Sequence, residues 1–268
     1  MREATGKLRV ALRLAVLAAD TAMTVAWLRL RRRLGPAPRQ QSLRVAQAWS
    51  RRMLRVLGVS LEVRGCAPRG TVLLLANHRS YLDIPLLLSQ VPCAFLAKEE
   101  IAGWPLFGAA ARLAHTVFVR RDCGESRRAS RLAARERLRA GLAFAAFPEG
   151  TTSRGPGLLP FFPGLFRVAE QEDVPVVPVA IDYVEPDDAW VGDDPFLPHF
   201  LRRFRRRRVG ASICFGPPVR SGDVADLKAF AELWIRSRLE SVPAPSVTPS
   251  RAAPPRRARA AAAGALPS

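Results

Sequence analysis

Three short stretches carry side chains that could do chemistry together. In Asn77-His78-Arg79-Ser80-Tyr81-Leu82-Asp83 an imidazole stands five residues before a carboxylate. Such a pair can act as a general base and its orienter. The carboxylate holds one ring N–H and stabilises the imidazolium formed when the other nitrogen takes a proton. Residues i and i+5 do not share a face of a regular helix, so the pairing needs an irregular turn. The spacing alone is equally consistent with a surface histidine beside a helix-capping aspartate. In Phe147-Pro148-Glu149-Gly150-Thr151-Thr152-Ser153-Arg154, the glycine and hydroxyl residues can present backbone N–H groups to an anion, whereas Glu149 cannot bind phosphate directly. Arg120 and Arg121 end the apolar run Thr116–Val119. A guanidinium there can capture a phosphate with two parallel hydrogen bonds; for Arg121 an ion pair with Asp122 or Glu125 is the alternative.

Each stretch follows a short apolar run. Strands are expected at Ser60–Val63, Thr71–Ala76, Ala94–Ala97, Thr116–Val119, Leu142–Phe147, Val174–Ile181 and Ala211–Phe215. Helical patterns separate them at Pro85–Ser89, Pro105–Leu113, Ser126–Ala140, Leu165–Glu172 and Asp223–Ser241. Before the first strand, Ser42 is the expected cap of a helix carrying Leu43, Ala46, Trp49, Met53 and Leu57, which Gly58 ends. Repeated strand–helix alternation predicts a single α/β domain with a mostly parallel sheet flanked by helices. His78 and Asp83 then lie on a turn at a strand's carboxyl end, the edge where such sheets place their sites.

Of 268 residues, 42 are Lys or Arg and 23 are Asp or Glu, a formal net charge of +19. Lys7, Lys98 and Lys228 are the lysines, so arginine carries nearly all of the positive charge. A chain this basic is drawn to polyanions, whether an anionic membrane surface or nucleic acid. The 49% hydrophobic fraction excludes a mostly disordered chain. Cys66, Cys93, Cys123 and Cys214 lack metal-ligand spacing and read as small buried residues in a reducing compartment. Leu14–Leu28 is a largely apolar run broken by Asp20 and flanked by arginines. As a helix it reaches about 22 Å, short of a bilayer core of roughly 30 Å, so a helix lying in the interface is expected. An amphipathic helix packed on the domain is the alternative. The expected organisation is an N-terminal amphipathic, membrane-anchoring helix over residues 1–34, a domain over 35–242, and a disordered Pro/Ala/Arg-rich tail over 243–268.

In order, NH-x4-D (Asn77, His78, Asp83), the strand ending in Arg121, FPEGT with Ser153, and Val174-Pro175-Val176-Val177-Pro178 resemble the glycerolipid acyltransferase family, of the 1-acylglycerol-3-phosphate acyltransferase type. The resemblance runs from about Gly58 to Val219. It implies that His78, oriented by Asp83, deprotonates a lysolipid hydroxyl, which attacks the thioester of acyl-CoA or acyl carrier protein; no cofactor and no metal are implied. It implies acceptor binding by Asn77, Arg121, Glu149, Gly150 and Thr151, with Ile101–Leu113 covering the acyl chain or dipping into the bilayer. It also implies membrane association, at the cytoplasmic face of a bacterial inner membrane. Two departures bear on the acceptor. Thr152 stands where FPEGTRS has arginine, and the common F-K-x-G segment reads Phe161-Phe162-Pro163-Gly164, without its basic residue. Lysophosphatidate is the expected acceptor. Lyso-ornithine lipid, which lacks phosphate, is the alternative, because Lys98–Phe118, Trp190–Asp193 and Leu197–His199 are similar to a bacterial subgroup of the family.

Other functions fit less of the chain. A serine hydrolase has Ser80 beside His78 but no G-x-S-x-G elbow. His78, His115 and His199 have no metal-site spacing. A nucleic-acid-binding protein is suggested by the net charge and by Arg202–Arg208, yet no such motif occurs, and no specific nucleic acid is expected as a partner.

Overall fold

Among the described residues, short apolar runs bounded by turn residues form seven strands. These are β1 (Val59–Arg64), β2 (Leu73–Ala76), β3 (Cys93–Lys98), β4 (Val117–Val119), β5 (Ala143–Ala146), β6 (Val176–Tyr183) and β7 (Val209–Phe215). The computed structural model describes residues 2–35, 38–104, 107–120, 122–155, 157–192 and 194–240. The tail expected over 243–268 lies outside the described residues. All seven strands join one sheet in the order β1-β7-β6-β2-β5-β3-β4. Neighbours run parallel, except that β6 and β7 are antiparallel. The expectation of a mostly parallel sheet flanked by helices holds.

The middle strands β2 (LLLA) and β5 (AFAA) are buried throughout, as strands covered on both faces must be. Side chains alternate between two apolar layers. Leu74, Ala76, Phe95, Ala145 and Ile181 face one layer; Leu73, Leu75, Ala94, Phe144 and Ala146 face the other. Helices α1 (Arg2–Arg33), α2 (Arg39–Leu57), α3 (Asp83–Gln90) and α7 (Phe196–Phe204) contribute to the first layer. Helices α5 (Gly124–Arg139), α6 (Gly164–Gln171) and α8 (Val224–Glu240) build the second. A short helix, α4 (Phe107–Leu113), rests against α1 through Ala109 and Ala110.

Three local expectations change. Helix α2 begins at Arg39 after Pro38, and Ser42 is a buried interior residue rather than its cap. Its other end is as expected: Gly58, at φ 74°, turns the chain and donates its N–H to the carbonyls of Leu54 and Arg55. Helix α7 was not among the expected helices, although Phe196, Phe200 and Phe204 repeat every four residues along it. Of the cysteines, Cys93 is buried as expected, whereas Cys66 is exposed and Cys123 and Cys214 are half-buried.

Helix α1 is far longer than the apolar run Leu14–Leu28. One face, with Val10, Leu17, Thr21, Val25 and Leu28, is buried on the body. Polar contacts fix this face. Arg52 Nε donates to Asp20 at 2.8 Å, and Trp49 Nε1 to the Thr21 hydroxyl at 3.1 Å. Arg13 donates to the carbonyls of Phe204, Arg206 and Arg207, closing the C-terminal end of α7. The opposite face exposes Leu8, Leu12, Val16, Met23, Trp27 and Leu30, a stripe at helical spacing. By length and composition this helix could cross a membrane.

Candidate active site

Strand β2 delivers the chain to the sheet's carboxyl edge, and Asn77 prolongs the strand by side-chain pairing. Its amide donates to the carbonyl of Ile181 and accepts from the Ile181 N–H, both at 2.8 Å. The turn Asn77–Leu82 then brings His78 over the first residue of α3. His78 Nδ1 lies 2.7 Å from Asp83 Oδ2, so the irregular turn that the spacing required is present. The same oxygen accepts the N–H groups of Arg79 at 2.6 Å and Ser80 at 2.9 Å. Its neighbour Oδ1 accepts the Tyr183 hydroxyl at 2.6 Å. Asp83 is fully buried, and both of its carboxylate oxygens are held by protein groups.

The second stretch interlocks with the first. Glu149 Oε1 accepts the His78 N–H at 2.6 Å, and the Ser153 N–H donates to the His78 carbonyl at 2.9 Å. Glu149 Oε2 accepts the Leu159 N–H at 3.0 Å and the Ser153 hydroxyl at 3.3 Å. Burial pushes the Glu149 carboxyl above its ordinary range, partly offset by the hydrogen bonds from His78 and Leu159. The Phe147 ring stacks on the His78 ring, centroids 4.0 Å apart and planes within 10°. His78 is thus clamped at N–H, carbonyl, Nδ1 and ring face. Nε2 is the nitrogen left to exchange a proton with a ligand, and the side chain keeps 11% of its surface accessible.

The expected acceptor ligands therefore divide. Asn77 and Glu149 are buried with their polar atoms held by protein groups, and so brace the turn. Thr151 is exposed beside Gly150, which adopts φ 72°. A Cβ at Gly150 would be both strained and pressed against the Phe162 ring. Arg121 lies outside the described residues; its neighbour Arg120 pairs with Glu99 at 3.3 Å. Ser80, two residues from His78, is fully buried. Among the described residues, no three His, Cys, Asp or Glu side chains are grouped to hold a metal ion.

An apolar cavity opens next to this site on the face that carries α1. Thr21, Val25 and Leu28 of α1 wall one side, Trp49 and Met53 of α2 another, and Ile101, Trp104, Ala110 and Ala111 a third. Those last four belong to the stretch expected to cover an acyl chain. The cavity wall connects to His78 through stacked rings: the Phe95 ring on that wall has its centroid 6.5 Å from that of Phe147, which stacks on His78. Tyr81, three residues beyond His78, also lines it, with its hydroxyl 3.0 Å from His199 Nδ1. Burial lowers the His199 pKa, so the neutral ring accepts from Tyr81 and donates through Nε2 toward the Asp187 carbonyl at 3.3 Å.

Tyr81, Tyr183 and His199 were not among the expected site residues. Their partners stand more than 90 positions away, and only the spacing of Tyr183 along an apolar strand could have placed it on the His78 face.

Residues 60–182 match the family profile described as Acyltransferase. The chain is 39% identical to a lyso-ornithine lipid O-acyltransferase of Pseudomonas aeruginosa, over 83% of this chain and 89% of the relative. It is 37% identical to a 1-acyl-sn-glycerol-3-phosphate acyltransferase of Neisseria gonorrhoeae, over 56% of this chain and 60% of the relative. Among solved structures, the 1-acyl-sn-glycerophosphate acyltransferase of Thermotoga maritima superposes with a TM-score of 0.72. That match covers 90% of this chain and 97% of the other at 24% identity, which speaks for the fold.

Proposed function

The chain belongs to the acyltransferase family, and from that premise we propose that it moves a fatty acyl group from a thioester donor to the free hydroxyl of a membrane lysolipid. The observation that carries this reading is the His78–Asp83 contact at the sheet's carboxyl edge. His78 Nε2 takes the hydroxyl proton as the oxygen attacks the thioester carbonyl. Asp83 stabilises the imidazolium that results. The C–S bond then breaks, and the departing sulfur takes the proton back from His78. No covalent acyl-enzyme is required. The apolar cavity takes an acyl chain, and Gly150, Thr151 and Arg121 receive the acceptor's polar head.

Lyso-ornithine lipid is the acceptor these observations favour. The relative aligned along most of its length bears that name, and exposed Phe162 occupies the segment where the family pattern has a basic residue. Lysophosphatidate is the second reading, favoured by the Neisseria relative and by the exposed Arg154 on the same loop. The donor is acyl-CoA or acyl carrier protein. Helix α1 lies along the bilayer with its outer stripe in the lipid, at the cytoplasmic face of a bacterial inner membrane, where both donors are found.

Purified protein in mixed micelles, given labelled acyl-CoA or acyl carrier protein and both acceptors in parallel, tests the proposal. Transfer to lyso-ornithine lipid that falls at least a thousandfold in His78→Ala is expected, at the upper part of the range of roughly 10²–10⁴ for a lost general base. Transfer to lysophosphatidate alone establishes the second reading. No transfer to either acceptor, or full activity in His78→Ala, overturns the mechanism.

A further inference from the structure

We propose that Tyr183 is a positioning residue of the reaction: its phenol O–H fixes the Asp83 carboxylate in the one orientation that aims His78. This deepens the preceding reading and rests on His78 being the base. Asp83 Oδ2 takes its three donors, His78 Nδ1, Arg79 N and Ser80 N, from the turn itself. Oδ1 faces β6 and is held by Tyr183 at 2.6 Å. Asp83 is fully buried, so without that hydroxyl Oδ1 would be an unpartnered carboxylate oxygen. The turn holds Oδ2 and Tyr183 holds Oδ1, so the carboxylate is fixed from both sides. A carboxylate lacking the Tyr183 bond can swing about its Oδ2 contacts, and the imidazole shifts with it.

Tyr183 suits a permanent donor. Burial, reinforced by Asp83, raises the phenol well above its ordinary range, so the proton stays on oxygen at any working pH. Tyr183 also draws charge from Asp83 that would otherwise fall on His78. The other ionisable groups facing the pair are Glu149 on the loop after β5, Asp182 of β6 with Arg79, Tyr81 on the turn, and Arg203 of α7. Tyr183→Phe leaves all of them in place.

In Tyr183→Phe we expect kcat to fall roughly tenfold or more, as a misaimed catalytic group does. KM for donor and acceptor should stay within about twofold, since neither is touched. The acid limb of the kcat/KM profile should move to higher pH, because Asp83 with one donor fewer holds the protonated imidazole more strongly. A fall in Tm with kcat and the limb unmoved would reduce Tyr183 to a structural residue and overturn the proposal. A second test does not depend on the Phe variant folding. The chain has two tyrosines, so fluorotyrosine incorporated into a Tyr81→Phe background labels Tyr183 alone. Its more acidic phenol donates more strongly, and the limb should move to lower pH than in the same background with ordinary tyrosine. A limb that moves in the same direction as in Tyr183→Phe, or not at all, overturns the proposal. A fully active His78→Ala would remove the base itself and this role with it; an inactive His78→Ala beside an unaltered Tyr183→Phe would remove this role alone.

Discussion

At the residue scale, His78 depends on groups buried around it. Glu149 accepts two backbone N–H groups, one of them that of His78. Glu149→Ala leaves both donors buried without a partner, at a cost of about 2 kcal/mol or more. The expected outcome is a lower urea midpoint and a lower kcat, with the acceptor KM unchanged. A raised acceptor KM at unchanged kcat would return Glu149 to the role of ligand. The His78–Asp83 pair was legible in the sequence because both partners lie in one turn. The uses of Asn77 and Tyr183 were not, since their partners stand 104 and 100 residues away and meet them only because β2 and β6 are neighbours.

At the scale of elements, α1 has two jobs on two faces. Thr21, Val25 and Leu28 wall the apolar cavity, while Leu12, Met23 and Trp27 look outward. The double substitution Leu12→Glu/Met23→Glu should weaken partitioning into vesicles by at least tenfold, because each exposed apolar side chain contributes about 1.5–3 kcal/mol when buried. The thermal midpoint should hardly move, since neither side chain packs on the body. Flotation with lipid vesicles and a melting curve check both halves; unchanged flotation would mean that the stripe does not face lipid. The run Leu14–Leu28 announced this helix but not its length, which the arginine contacts from Arg9 and Arg13 to the end of α7 extend toward the N-terminus. Helix α7 was hidden by Pro198 in its first turn and by an arginine cluster that reads as a solvated surface. One of those arginines, Arg203, is in fact buried against Asp188.

At the scale of the molecule, strand–helix alternation sufficed for a mostly parallel sheet with helices on both faces. It did not disclose that β7 runs against β6, because the segment between them contains a helix, as a parallel crossover would. The net charge of +19 belongs to the whole chain and acts over distances that salt shortens. Binding to vesicles containing anionic lipid should therefore weaken several-fold between low and high salt, while binding to neutral vesicles, carried by α1 alone, should not. Equal salt sensitivity on both would separate the charge from membrane attachment. If α1 lies lengthwise in one leaflet, as proposed, it also changes what concentration means for this enzyme. Its encounters with lysolipid would take place in a plane, so the rate would follow the mole fraction of acceptor in the surface and not its amount per litre. Inert lipid added at constant acceptor would then slow turnover by dilution within that plane.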